Sequence, residues 1–390
     1  MPKPTEIPLH QGRDGMDPLP GLRRMAEETP VLEDSGSGFH DWVVSGREEV
    51  RAVLGDAERF SNRPPEASAS LARRTQSGNL LQYDPPEHTR LRQMLTPEFT
   101  VRRMRRMEPL IERIVEDRLD VLERAGKPAD LMRHFARPVP GLVGCALFGV
   151  PRDDQAELAR NLDLSRSANR TRQQAAAKAF ESYMGRLVAQ KRRDPGAADD
   201  QLSMLLREHG DELTDEELIG ICASEMAAGW ENSAGMLGLG TLALLAHPEQ
   251  FELLREKPEL IDQAVEELLR YVSVIPVASP RTALEDVRIG DQVIKAGDSV
   301  ICSLFAANRA QPGEEDQDGF DITREHPNHL AFGHGIHFCV GAALARLNLR
   351  IAFAALVRRF PELRLAVPRE ELRFKPLAPQ YGVETLPVVW

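Results

Sequence analysis

The chain has 390 residues, 42% hydrophobic, 28% charged and 5% aromatic, with a formal net charge of −11. This is globular composition with apolar content for a large core, and Gly and Pro at 28 residues each exclude collagen-like or low-complexity chains. A net-acidic field repels phosphate, which argues against generic binding to nucleic acid or an anionic membrane.

The first sixteen residues are polar and Pro-interrupted, without the apolar run of a signal peptide. The most apolar stretch, residues 218–246, carries Glu225, Glu231 and Asn232 in its middle, where hydrocarbon would penalise them. The four cysteines, Cys145, Cys222, Cys302 and Cys339, are too widely spaced for a CxxC pair or a disulfide framework. These features predict a cytoplasmic protein with no membrane segment.

In chain order, residues 42–45 read as a short strand and residues 61–82, with a Pro pair and Arg73–Arg74, as a long irregular stretch of the kind used as a binding loop. Residues 102–124 place Met107, Leu110, Ile111, Ile114, Val115, Leu119 and Leu122 at helical spacing. Residues 194–200 read as a helix–helix loop. Thr214 with Glu217 forms a capping-box pattern that opens a helix of about 30 residues, roughly 45 Å long. Pro248 and Pro258 punctuate two more helices, the second over residues 259–271. Further short strands are expected at 287–294, 300–303 and 386–390. The fold class is mainly α with small β-sheets, in one domain over residues 1–390 without internal repeats or a flexible linker.

The most informative run is Phe332-Gly-His-Gly-Ile-His337-Phe-Cys339-Val-Gly341. It leads through two glycines to Cys339 and into a helix-forming sequence. A sulfur just before a helix N-terminus meets backbone N–H groups and the positive dipole end, which favour the metal-binding thiolate. Gly341 leaves room for a flat group against the backbone. The other three cysteines read as small buried hydrophobes. A structural zinc site is not indicated, because His334 and His337 lack the second ligand pair it requires.

This run resembles the signature of the cytochromes P-450, and the resemblance extends over nearly the whole chain. Glu267-Leu-Leu-Arg270 is similar to the family's Glu-x-x-Arg, and Asp84-Pro-Pro-Glu-His88-Thr-Arg-Leu-Arg92 to the His-x-x-x-Arg element that clamps a haem propionate. Arg281, His337, the Ala306–Arg309 run, Phe320-Asp-Ile-Thr-Arg324 and the terminal Leu-Pro-Val-Val-Trp390 complete it. The resemblance implies haem b on a Cys339 thiolate beneath a long central helix. His88, Arg92, Arg281 and His337 would meet the propionates, and Ala228, Phe332 and Gly341 would bound the cofactor. Taken singly, each arginine reads as a surface residue and His88 as a core or capping histidine. Thiolate ligation implies oxygen activation.

In Met226-Ala-Ala228-Gly229-Trp-Glu231-Asn232-Ser233, the resemblance places Glu231 at the family's acid position, but Asn232 stands where a Thr hydroxyl is expected. Ala228 and Asn232, four apart, share a helix face. Asn can donate and accept hydrogen bonds but cannot relay a proton as a hydroxyl does. Ser233 lies about 100° round the helix and is a weaker substitute. Two reactions follow. One is hydroxylation or another monooxygenase oxidation of a medium-sized organic substrate in bacterial secondary metabolism. The other is coupling of phenol or indole rings without oxygen insertion, since Asn232-Ser-Ala-Gly-Met236 is similar to the phenol-coupling members. A haem-fold protein that only recruits other enzymes is a remote reading, because Cys339 and the propionate clamp are retained.

The resemblance places substrate contacts, to a small molecule or peptide, at residues 61–82, 162–171, Glu225, Ala228 and 274–279. With no flavin or iron–sulfur module expected in the chain, electrons from NAD(P)H are to arrive through a ferredoxin and ferredoxin reductase, with Arg92, Arg102, Arg103, Arg105 and Arg106 as a candidate docking patch. A monomer is expected.

Overall fold

The computed structural model describes residues 12–390 apart from 35–40, 64–76, 165–169, 195, 197, 310–317, 326, 376 and 377, and the side chains of 162–164 and 170 are likewise not described. Most of the candidate binding stretch 61–82, and the centre of 162–171, therefore lie outside the described residues.

The architecture is mainly helical and is organised around one long helix, Asp215–Ala246. Its start is the expected capping box: the Thr214 hydroxyl accepts from the Glu217 N–H and the Glu217 carboxylate accepts from the Thr214 N–H. Beyond Ser233 the helix is buried on nearly every side, from Ala234 to Leu244, as a helix with little amphipathicity must be if it threads a core. It packs against helices Pro138–Leu147, Arg170–Arg193, Ile261–Val272 and Ala342–Arg359. Among the described residues no helix is long and apolar enough to cross a membrane.

The helix predicted over 102–124 spans Val101–Arg124, with Thr100 as its N-cap. Its apolar face enters the core at Ile111, Val115, Leu119 and Leu122. Its charged edge pairs with the helix that follows Cys339: Glu108 with Arg350 and Glu116 with Arg358, each at 2.5 Å, and Asp120 with Arg359 at 2.9 Å.

The strands form small sheets. In the five-stranded sheet, Ser299–Cys302 lies centrally, parallel to Trp42–Val44 and antiparallel to Arg281–Ala283. Val300 thereby sits in register with both Trp42 and Arg281. Pro387–Val389 forms the centre of a three-stranded sheet. The single strand expected over 287–294 is instead a hairpin, Val287–Ile289 against Gln292–Ile294. Gly290, at φ +56°, turns the chain there, a conformation that glycine adopts without a Cβ penalty. The helix expected from residue 259 begins at Ile261, after a 3₁₀ turn at Pro258–Leu260.

The Glu267–Arg270 pair explains itself physically. Both side chains are buried, and Arg270 Nε and Nη2 donate to the two Glu267 oxygens at 2.7 Å each. Arg270 also donates to the carbonyls of Asn308 and Gly319, while the Asp321 N–H donates to Glu267. A buried bidentate pair with its remaining valences filled ties the irregular segment after residue 318 to the helical core.

Candidate haem-binding site

The Cys339 loop is built by glycine conformations. Gly333 and Gly335 both lie at φ +73°. At Gly335 an added Cβ would stand 2.2 Å from the Leu54 carbonyl oxygen, so the loop docks directly on helix Arg47–Gly55. The Cys339 N–H then donates to the Phe332 carbonyl at 2.9 Å, and Gly341 caps helix Ala342–Arg359. Cys339 is densely enclosed yet partly accessible.

The thiol is shifted upward. Burial raises it, and the Gly341 N–H, Arg92 and Arg346 pull in the opposite direction. The expected helix-terminus contribution is present in the Gly341 N–H, and desolvation acts against it. A cation on the sulfur would reverse that balance. Cys145 and Cys302 are buried with thiols pushed up to about 12, and Cys222 is raised further by full burial.

Four potential cations converge nearby from three elements. His88 and Arg92 lie one turn apart on helix Glu87–Leu95, Arg281 opens strand Arg281–Ala283, and His337 ends the 3₁₀ turn Gly335–His337. The His88 and His337 rings are 4.3 Å apart between centroids. His337 falls to about 3 through burial first, then through Arg281, His88 and Arg92. Burial also lowers Arg92 and Arg281. His88 Nε2 and His337 Nδ1 are buried without a hydrogen-bond partner among the described residues. Arg281 donates to the Ser279 carbonyl at 2.8 Å. Asp84 acts on His88 and Arg281 as the described counter-charge; unpartnered imidazole nitrogens and desolvated guanidiniums crowded together are costly, and a ligand bearing two carboxylates would relieve them.

The central helix opens toward the same region. Ala227, Ala228 and Gly229 are exposed, although Met226 before them and Trp230 after them are buried. An added Cβ at Gly240 would meet the Phe353 ring at 2.5 Å, but one at Gly229 would meet nothing within 4 Å. At Gly341 it would meet only Phe99, at an ordinary 3.8 Å. Protein packing therefore requires glycine at neither position, and both small residues border open space. Asn232 Oδ1 is buried without a described partner.

A family profile described as Cytochrome P450 matches residues 39–167 and 159–372. The chain belongs to the cytochrome P450 family. It is 46% identical to Cytochrome P450 165B3 of Amycolatopsis orientalis, over 98% of both chains. Among solved structures, OxyB from teicoplanin biosynthesis in complex with the X-domain is 49% identical, at a TM-score of 0.90 over 98% of this chain and 100% of that one. OxyC, described as a cytochrome P450 implicated in an oxidative C–C coupling reaction during vancomycin biosynthesis, is 45% identical, at a TM-score of 0.89 over 97% and 96%.

The family implies haem with a cysteine thiolate on its iron, and the residues of this cytochrome P450 fit that group. A partly accessible cysteine, a cluster of two guanidiniums and two imidazoles with Asp84 as its described counter-charge, and two glycines bordering open space match a flat dianionic ligand.

Other site residues are placed less directly. Ser233 is buried, one residue beyond Asn232. Glu231 lines a small pocket with Arg137, Lys375 and Tyr381. Phe332 stays in the Cys339 loop, where the Arg346 guanidinium lies 4.6 Å from its ring centroid. Within 274–279, Val274 is a core residue against Gly235 rather than an open wall. Arg103 of the expected docking patch is buried and paired with Glu98 and Asp199, and Arg106 also pairs with Asp199, so the patch reduces to Arg102 and Arg105.

Sequence reasoning missed Arg346. It is held by Glu266 at 2.6 and 2.8 Å, with His329 on the same carboxylate. Its place seven residues after Cys339, two helical turns on, was the available signal.

Proposed function

We propose that this cytochrome P450 joins two aromatic rings of a peptide-like substrate by removing a hydrogen atom from each, within bacterial secondary metabolism. The observation that carries the reading is Asn232. An amide occupies the position where a hydroxyl would pass protons, and its Oδ1 has no described partner. The likeness to OxyC, with its C–C coupling role, supports the same reaction class.

In this proposal Cys339 ligates the haem iron, His88, Arg92, Arg281 and His337 hold the propionates, and Ala228, Phe332 and Gly341 bound the ring. Bound haem supplies oxygen activation, which thiolate donation favours. Asn232 orients an acceptor or donor in the cavity without passing a proton on. Glu231, beside Arg137 and Lys375, sits where an acid can exchange protons with the outside.

Electron supply by a ferredoxin and its reductase, with Arg102 and Arg105 as contacts, belongs to the same proposal, as does a cytoplasmic setting. The OxyB complex with an X-domain supports delivery of substrate by a protein partner. Oxygen insertion is the second reading, supported by retention of Glu231 beside Asn232.

Product mass from a reconstituted reaction with Tyr- and Trp-containing peptides tests the proposal. Loss of two hydrogens supports coupling, and gain of one oxygen overturns it in favour of insertion. The Cys339→Ala protein should lose the long-wavelength Soret band of the ferrous carbon monoxide form.

A further inference from the structure

A second polar cluster borders the same cavity, on the helix face that precedes Ala228. Glu225 lies three residues before Ala228 and seven before Asn232, on the helical stripe that opens inward. Like Cys339 it is densely enclosed yet partly accessible.

The fully buried Gln201 donates from Nε2 to Glu225 Oε2 at 2.9 Å. Glu225 Oε1 and Gln201 Oε1 are buried with no hydrogen-bond partner among the described residues. Glu98, only 3% exposed, acts electrostatically on Glu225 from the turn after helix Glu87–Leu95. Its Oε2 lies 3.3 Å from Arg103 Nε without hydrogen-bond geometry. Arg103 continues to Asp199, whose side chain is 53% exposed. The cluster is rich in acceptors and poor in donors, and the missing donor is most simply a proton on a carboxyl.

We propose that Glu225 is a proton-holding residue of the oxidase: it stands un-ionised at the cavity wall and yields its proton to cavity water in a chain whose position 232 has no hydroxyl.

Gln201 donates to Glu225, Glu98 and Cys222 are coupled to it electrostatically, it is the smallest of the influences on Cys339, and no described cation pairs with it. Its carboxyl is accordingly pushed up to about 8, by burial first and by Glu98 after it, against the Gln201 hydrogen bond. Glu98 is raised as well, by burial that exceeds the pull of Arg103. The step balances simply. The carboxyl O–H bond breaks, a cavity water takes the proton, and solvent returns one through the Asp199–Glu98 side. Glu225 and Asn232 are about 10 Å apart along the helix axis, so Glu225 acts through water and is a positioning residue rather than a catalytic one. The proposal rests on the haem-oxidase reading but serves ring coupling and oxygen insertion alike, because both consume protons.

The test is infrared spectroscopy of the resting haem protein, with Glu225→Gln as the variant. The parent should show the carbonyl absorption of an un-ionised carboxylic acid at neutral pH, fading as pH rises through about 8. Glu225→Gln should lack it while keeping the haem and the carbon monoxide band. Glu98→Gln should retain the Glu225 absorption and shift its fading to lower pH. In reconstituted turnover Glu225→Gln should form product roughly tenfold more slowly or worse, with an enlarged solvent isotope effect. No difference between parent and Glu225→Gln at neutral pH, or an unchanged rate and isotope effect, overturns the proposal. Should Glu225→Gln fail to fold, the pH titration of the parent, with labelled glutamate identifying the absorption, decides the same question. The infrared result does not depend on the product formed, so failure of the coupling reading leaves it standing.

Discussion

The imidazole of His88, on helix Glu87–Leu95, lies 4.3 Å from that of His337, in the turn before Cys339, with Arg92 and Arg281 both acting on His337. Distant segments thus crowd two imidazoles whose charged forms are disfavoured against two guanidiniums, an arrangement that an anionic ligand would stabilise.

The first prediction follows from that arrangement. Arg92→Leu or Arg281→Leu should leave the haem-free protein as stable as the parent or more so, since burial disfavours the charge of each guanidinium. Each should weaken haem binding by roughly 10- to 100-fold through loss of a charge-assisted contact. Thermal melts of the haem-free protein and haem-transfer assays check the pair. Loss of stability in the haem-free form would show that the arginines have a structural role instead.

Gly229 and Gly240 on the central helix should respond oppositely to alanine. At Gly229 the added Cβ meets nothing within 4 Å, so the haem-free protein should gain up to about 1 kcal/mol from helix propensity. Haem or substrate binding should suffer, because the methyl enters the cavity. At Gly240 the Cβ would meet the Phe353 ring at 2.5 Å, and overpacking should cost about 1–3 kcal/mol. Denaturant unfolding of the two variants gives the comparison.

Acid should release the Arg346 brace. Burial alone would raise Glu266, but hydrogen bonds from Arg346 and His329 prevail and hold it down to about 2. With the folded value below the unfolded one, the stabilisation is fully present above about pH 4.5 and is lost as pH falls through 2. Arg346 is 39% exposed at its side chain, so the effect is screened to on the order of 1–2 kcal/mol. Glu266→Gln should remove that part of the acid dependence, measured as unfolding free energy against pH.

The arginines at 102–106 should separate into two classes. Arg103→Ala should cost roughly 3 kcal/mol, because it strands the buried Glu98. Arg102→Glu and Arg105→Glu should leave stability unchanged and slow reduction by ferredoxin at low salt, which stopped-flow kinetics would detect. Unchanged reduction rates would remove them from the docking surface.

Much of this protein is legible in its residues. The capping box at Thr214 and Glu217, the amphipathic run over 102–124 and the glycine-flanked Cys339 are local patterns, governed by interactions within a few residues. That locality is why both helices and the Cys339 loop agree with expectation. The Val287–Ile294 hairpin was missed because apolar alternation runs through a turn whose conformation depends on a single glycine.

The sequence by itself determined the family, the candidate ligand and the small set of cations able to meet two carboxylates. Only the tertiary structure decided their energetic state. Burial, a property of the whole fold, raises the Cys339 thiol against its helix terminus, withdraws Arg103 from the surface and surrounds Glu225 with acceptors. Desolvation depends on which atoms from distant segments exclude water, and no spacing along the chain encodes that.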